Sequence, residues 1–468
     1  MLYNSLQFLV FFIVVTLVYF QLSHRGRWIL LLGASCFFYM AFVPEYLLIL
    51  GFTIVIDYIA GLRIERAQGF HRRLWLISSL AANISILAVF KYFNFFVQNA
   101  NAALTMAGVK SSLPFLTMLL PIGLSFHTFQ AMSYTIEVYY GRQPAERHFG
   151  IYALYVMFYP QLVAGPIERP QNVLPQFHQQ QPFDWEQVKS GLVQMGFGLF
   201  KKVVIADRLA LVVDGAYNHL PAQNSTSLLI ATVFYAFQIY CDFSGYSDIG
   251  IGAARVMGFE LMQNFDQPYT ARSIGEFWRR WHISLSTWFR DYLYIPLGGS
   301  RVGYSRRLAN VMVVFLVSGF WHGASWNFIV WGGLHGTYQL VSQLWNRRFP
   351  PREQVERTWA KQVWDVLVTF ALVDFAWIFF RARGGHDALF VVKKLFLHPA
   401  YGLPHLALNV PETLVCVALI ALLLCKEHYY LTIPPLRSWR FATMCTLLAG
   451  GCYLLGVFDH TQFIYFQF

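Results

Sequence analysis

Charge is what this sequence has least of. Of its 468 residues, 13% are Asp, Glu, Lys or Arg and 56% are hydrophobic, and its mean hydropathy is +0.44. A soluble chain this apolar could not cover its own surface, so the composition excludes a soluble fold and predicts an all-α polytopic membrane protein. Thiols are scarce too. The six cysteines, Cys36, Cys241, Cys416, Cys425, Cys445 and Cys452, fall mostly in apolar runs without a CxxC pair. They read as small core hydrophobes and offer neither a disulfide framework nor a thiolate metal site. No GxSxG elbow, HExxH helix or GxxxxGK[ST] phosphate loop occurs, which removes the usual serine-hydrolase, zincin and ATPase readings. Internal repeats and low-complexity tracts are missing as well, so the chain reads as one integral domain over residues 1–468.

Long apolar runs are plentiful. At about 20 residues per crossing, candidate spans are Tyr3–Leu22, Trp28–Val43, Tyr46–Leu62, Leu74–Phe90, Leu113–Val138, Phe149–Val163, Gly191–Val213 and Leu228–Tyr240. They continue with a segment opening at Asn310, then Val363–Phe380, Leu408–Leu424 and Phe441–Val457. Roughly ten to twelve of these are expected to be true crossings, the rest re-entrant or interfacial. The first span has no charged leader and no cleavage site, so a retained helix is expected. Basic loops at Arg25/Arg27 and at Arg63, Arg66, Arg72 and Arg73 flank the uncationic Pro44-Glu45 turn. The positive-inside rule then puts those loops in the cytoplasm and the N-terminus outside. The net charge of +11 is explained by cytoplasmic loops facing anionic lipid and a phosphate-rich cofactor, without nucleic acid. The polar stretch Arg169–Ser190, with five Gln between 171 and 181, reads as an extramembrane connector.

Against this background the polar residues of the middle third stand out, because ionisable groups in spans are expensive and usually face a cavity or a partner. PIGLSFHTFQAMSY carries His127 and Gln130. YPQLVAGPIERP carries Gln161 and Glu168, and CDFSGYSDIGIGAARVMGF carries Asp242, Ser244, Asp248 and Arg255. In EFWRRWHISLSTWFRDYLYIPLGGS, residues 276–300, a helical projection puts Phe277, Trp281, Leu285, Trp288 and Tyr292 on one face. Arg279, Ser286 and Arg290 lie on the other, with His282 at the border. That pattern predicts an interfacial amphipathic helix, either an aromatic-belt anchor or the floor of a site with arginines near phosphates. SGFWHGASWNF then places His322 beside a Gly319/Gly323 small-residue seam, near Trp321, Ser325 and Asn327, with His335 further on.

A lone intramembrane histidine can simply glue helices. Several His, Asp, Glu and Arg from separate segments suggest a polar cavity instead. Histidine is the usual general base near neutral pH. A His282/His322 metal site lacks ligand spacing, and no metal is expected. On residues alone, either group transfer by an embedded base or ion-coupled transport remains open. The matching broken halves of a secondary transporter are not visible.

RRWHISLSTWFRDYLYIPLGGS followed by SGFWHGASWNFIVWGGLHG resembles the membrane-bound O-acyltransferase family. The likeness extends to LPIGLSFHTFQAMSYTIEVYYG, YPQLVAGPIERP, CDFSGYSDIGIGAARVMGF and the terminal FIYFQF, in the family's order, and is nearest the bacterial branch that serves alginate O-acetylation. Residues 345–410 match no motif. The resemblance implies many helices, spanning and interfacial, around a central tunnel, with the catalytic core at about 113–345. It also implies a cytoplasmic acetyl-CoA donor, a bacterial inner-membrane location, and O-acetylation of a secreted polysaccharide through a periplasmic acetyltransferase partner. Alginate and cellulose, peptidoglycan, and lipid or protein acceptors are the alternatives. By position, His322 corresponds to the catalytic histidine. His282 corresponds to a second site position, Asn or Asp in some relatives, that positions the donor or polarises the thioester. Arg279, Arg280 and Arg290 become candidates for the CoA phosphates. His127, Gln130, Asp242, Ser244, Asp248, Trp321, Ser325 and Asn327 become candidates for the tunnel lining.

Overall fold

In the computed structural model, residues 1–109, 112–117, 121, 123–349, 358–428, 438–458 and 463–464 are described. The end of FIYFQF beyond Ile464, Ile122 of the PIGLSF motif, and Pro350 and Pro351 lie outside them. Among the described residues there is no strand, and the chain is all-α. The helices fall into two units, one of Met1–Met195 with Ser247–Met262, the other of Gly196–Tyr246 with Gln263–Phe468.

The first unit begins with α1 (Leu6–Gln21), α2 (His24–Met40), α3 (Tyr46–Arg66), α4 (Gly69–Met106), α5 (Leu124–Tyr139) and α6 (Phe149–Met157). α1 starts where the Ser5 hydroxyl accepts from Phe8 N at 3.2 Å, an N-cap that satisfies one of the helix's orphan donors. Its surface is turned for lipid: Phe8, Phe11, Phe12 and Tyr19 are buried in protein, while Leu6, Leu9, Val10, Ile13, Val14 and Leu17 are exposed. Inside the unit, the carboxylate of Asp57 on α3 accepts from Ser79 Oγ (2.6 Å) and Asn83 Nδ2 (2.9 Å) on α4. A polar side chain there is tolerable because α4 brings its hydrogen-bond donors along.

The second unit holds α7 (Ser225–Val256, whose end from Ser247 belongs to the first), α8 (Ile274–Arg280), α9 (Ile283–Phe289) and α10 (Tyr304–His322). α11 (Trp326–Arg348), α12 (Trp359–Arg381), α13 (Val410–His428) and α14 (Trp439–Leu455) follow. Among the described residues, α3, α4, α7 and α12 are long and apolar enough to cross a membrane by length and composition. α1 is a shorter apolar helix of 16 residues.

One expected element is built differently. Residues 276–300 do not form one continuous amphipathic helix. α8 stops at Arg280, His282 takes a left-handed backbone (φ 44°), and α9 restarts at Ile283. The competing partner is the segment 264–266, which runs alongside: Asp266 N donates to Arg280 O (2.9 Å), and Ile283 N donates to Asn264 O (2.9 Å). These bonds take the place of the intrahelical ones at the break. The two-faced pattern survives it, with Phe277, Trp281, Leu285 and Trp288 buried and Arg279 and Arg290 exposed.

Candidate active site

Two glycines fix the hairpin that carries His322. A Cβ on Gly319 would sit 2.2 Å from Phe328 O, and one on Gly332 would sit 2.2 Å from Phe315 O. α10 and α11 therefore cross backbone to backbone, as small residues permit in membranes. Gly323 ends α10 in extended backbone, and a Cβ there would meet the Phe328 ring at 2.1 Å. His322 is thus the last helical residue before a tight reversal. Ser325 caps α11 by accepting from Asn327 N at 3.3 Å, and Asn327 Nδ2 donates to Ala382 O at 3.0 Å. These two polar residues serve the hairpin and its tie to the end of α12.

The His322 ring, 3% exposed, lies in a cage of aromatic rings. Centroids of Trp321, Trp331 and Phe380 are at 4.9, 5.0 and 5.5 Å. His282, 0% exposed, packs edge-on to Phe243 at 4.7 Å and has Trp321 at 6.4 Å. The two imidazoles, 40 positions apart in sequence, therefore both meet one indole. Trp281, adjacent to His282, contacts Trp377 at 5.2 Å, and Trp377 stacks on Trp331 at 5.8 Å. A third buried imidazole, His335, accepts at Nδ1 from Trp278 Nε1 (3.3 Å) in the same set of rings. Aromatic walls of this kind exclude water from around the two rings.

Polar contacts to His282 are specific. Its Nδ1 is 3.1 Å from Asn264 Oδ1, which also accepts from Ser284 Oγ at 2.9 Å and Ser284 N at 3.3 Å. Burial holds the His282 imidazole below its ordinary pKa, because an uncompensated charge would be desolvated.

The remaining expected residues divide between the units. Asp242 is in the second unit, where Lys202 Nζ bridges it (2.6 Å) to Asp207 (2.7 Å), and Ile464 N donates to its other oxygen at 2.8 Å. Ser244 accepts from Lys201 Nζ at 2.8 Å. Both side chains hold α7 to the 200–207 segment. His127, Gln130 and Asp248 belong to the first unit. There His127 lies 6.4 Å from the Tyr39 ring, Gln130 donates to Tyr155 O, and Asp248 accepts from Gln194 Nε2 at 3.1 Å. Glu168 is structural in the same unit, accepting from Met262 N (2.6 Å) and Asn172 Nδ2 (2.7 Å). Arg280 is committed to Glu276 (2.7 Å) and Thr270 (2.8 Å). Arg290 pairs with neighbouring Asp291 at 2.8 Å and stays largely exposed. Arg279 is exposed. Among the described residues no group of three or more His, Cys, Asp or Glu is placed to hold a metal.

Residues 144–381, which contain both imidazoles, match the membrane-bound O-acyltransferase family. A peptidoglycan O-acetyltransferase of Helicobacter pylori is 35% identical over 94% of this chain and 91% of its own length. The chain belongs to the membrane-bound O-acyltransferase family. A probable alginate O-acetylase of Pseudomonas aeruginosa is 39% identical over 85% of this chain and 75% of its own. A teichoic acid D-alanyltransferase of Streptococcus thermophilus is more distant, at 28% over 62% and 73%. The chain is accordingly an acyltransferase of the polysaccharide O-acetylation kind, in a membrane. Asn264 is the residue that sequence reasoning missed. It lies in QNFDQPY, between two segments singled out for their histidines and acids, and a single amide there carries no periodicity or charge to flag it.

Proposed function

We propose that this acyltransferase takes an acetyl group from cytoplasmic acetyl-CoA and passes it across the bacterial inner membrane for O-acetylation of a secreted polysaccharide. A periplasmic acetyltransferase is the proposed partner, and the N-terminus lies on the periplasmic side. The chain acts as one integral domain with its catalytic core at about 113–345. The observation that carries the reading is the pair of buried imidazoles that both meet the Trp321 ring, within the family-matching region.

In the proposed step an acceptor hydroxyl oxygen attacks the thioester carbonyl carbon. His322 takes the hydroxyl proton as the C–O bond forms, and the C–S bond breaks to release CoA thiolate, which takes up that proton. His282 positions the donor. Trp321, Ser325, Asn327, Asp242 and Ser244 are the proposed lining within the second unit, and His127, Gln130 and Asp248 are proposed as lining within the first. Arg279 and Arg290 are the better-placed candidates for the CoA phosphates, being exposed, whereas Arg280 already has a carboxylate partner.

The test is H322A in cells. Loss of a positioned base costs about a hundredfold or more in rate, so O-acetyl content should fall to background while membrane abundance stays at the wild-type level. Acetylation that persists, or that falls only in step with abundance, would count against the reading. A peptidoglycan acceptor is the second reading, favoured by the near-complete mutual coverage with the Helicobacter protein. O-acetyl analysis of muramic acid against that of exopolysaccharide separates the two.

A further inference from the structure

The hydrogen bonds around His282 specify which of its nitrogens carries the proton. Ser284 N is a backbone amide and can only donate, so the Asn264 atom facing it must be the carbonyl oxygen, Oδ1. That oxygen has no hydrogen to give. A ring nitrogen 3.1 Å away can pair with it only by donating. In a neutral imidazole with Nδ1 protonated, Nε2 carries the lone pair. Nothing in the hydrogen-bonding chemistry of Asn264 permits the other tautomer without losing this contact. The backbone reinforces the arrangement. His282 has φ 44°, a conformation that holds its ring against the 264–266 segment, and that segment is itself bonded at both ends, to Arg280 O and Ile283 N.

We infer that Asn264 is a positioning residue that locks His282 as the Nδ1–H tautomer, so that Nε2 meets the reactants as a hydrogen-bond acceptor. Resting on the acetyl-transfer reading, this decides between two roles for His282. A ring in this tautomer cannot donate from Nε2 to the thioester oxygen, so it does not polarise the donor carbonyl. It can hold the donor by accepting an N–H or O–H group, such as an amide of the CoA arm. Protonating Nε2 abolishes that acceptor. The groups facing His282 include the Phe243 and Phe265 rings, Trp321, Ser284 and Asn264, none of which is charged. Titratable or charged groups on the elements packed against it include Asp242, engaged by Lys202, Arg280, engaged by Glu276, Asp266 of the 264–266 segment, and His322 beside Trp321.

The experiment has two arms on the full-length protein in detergent or nanodiscs. The first is the 15N spectrum of histidine-labelled protein, with His282 assigned by the resonances lost in H282N. A protonated Nδ1 and an unprotonated Nε2 are expected at neutral pH. The second is the pH profile of kcat/KM for acetyl-CoA in N264D. Aspartate keeps an oxygen for the Ser284 donors but stabilises imidazolium, so activity should fail at a pH about one unit or more above wild type, through KM rather than kcat. A protonated Nε2 in wild type, or superimposable profiles for N264D and wild type, would overturn the inference. If N264D fails to fold, the spectrum alone decides. If H282N and H322A both retain acetyl transfer while Nδ1–H is observed, the catalytic reading has failed and the tautomer assignment stands.

Discussion

At His282 the backbone and the side chain make separate demands. With φ at 44°, the position suits residues that tolerate the left-handed region, of which histidine, asparagine and aspartate are the common non-glycine cases. A β-branched residue there would be strained. H282V should therefore lose about 1–2 kcal/mol of stability, beyond any loss of activity, whereas H282N should melt close to wild type in detergent. Glu168 makes a similar demand by hydrogen bonding alone. Truncating it removes the acceptor of Met262 N and leaves Asn172 Nδ2 only the longer contact to Glu260 O, so E168A should cost about 1–3 kcal/mol, read as a lower melting temperature. How far residues could be read from the sequence follows from the same physics. His322 was visible because an imidazole in an apolar run is costly, and His282 because it borders an amphipathic face. Asn264 was invisible because its role depends on a chain reversal that brings it beside residues 282–284. Asp242 and Ser244 stood out for polarity, yet their contacts are an ion bridge and a lysine hydrogen bond within the packing of α7.

At the level of elements, the α10–α11 hairpin and the α8–α9 break set where the two rings lie. The hairpin needs close approach, since a Cβ on Gly319 or Gly332 would fall 2.2 Å from a carbonyl oxygen of the facing helix. G319L and G332L should each destabilise the fold by about 1–3 kcal/mol or more, lowering membrane abundance and activity together, unlike H322A. The ion bridge behaves differently. Lys202 serves both Asp207 and Asp242 in a buried setting, so K202M strands two carboxylates. A loss of about 3–5 kcal/mol is expected, measurable as a shortened half-life in detergent. The apolar helices were legible from hydropathy, because α3, α4, α7 and α12 each carry enough apolar length. The break at 281–282 was not, since a periodic pattern persists across it and only the pairing with 264–266 interrupts the helix.

For the whole molecule, the central claim is directional: a donor from one compartment and an acceptor from the other are joined by one protein. Orientation is part of that claim. The cytoplasmic assignment of the basic end of α3, the 67–68 turn and the start of α4 predicts that a cysteine placed in that turn is labelled only in inside-out vesicles. Sidedness of the chemistry itself is the most direct measurement. The purified chain is reconstituted into sealed proteoliposomes, with labelled acetyl-CoA on the face carrying the α3–α4 turn. Periplasmic extract and either polysaccharide or peptidoglycan fragments are supplied on the other. The account predicts acetyl esters on the far side for wild type and background for H322A. Equal far-side acetylation by H322A, or acetylation confined to the side of the donor, would contradict it.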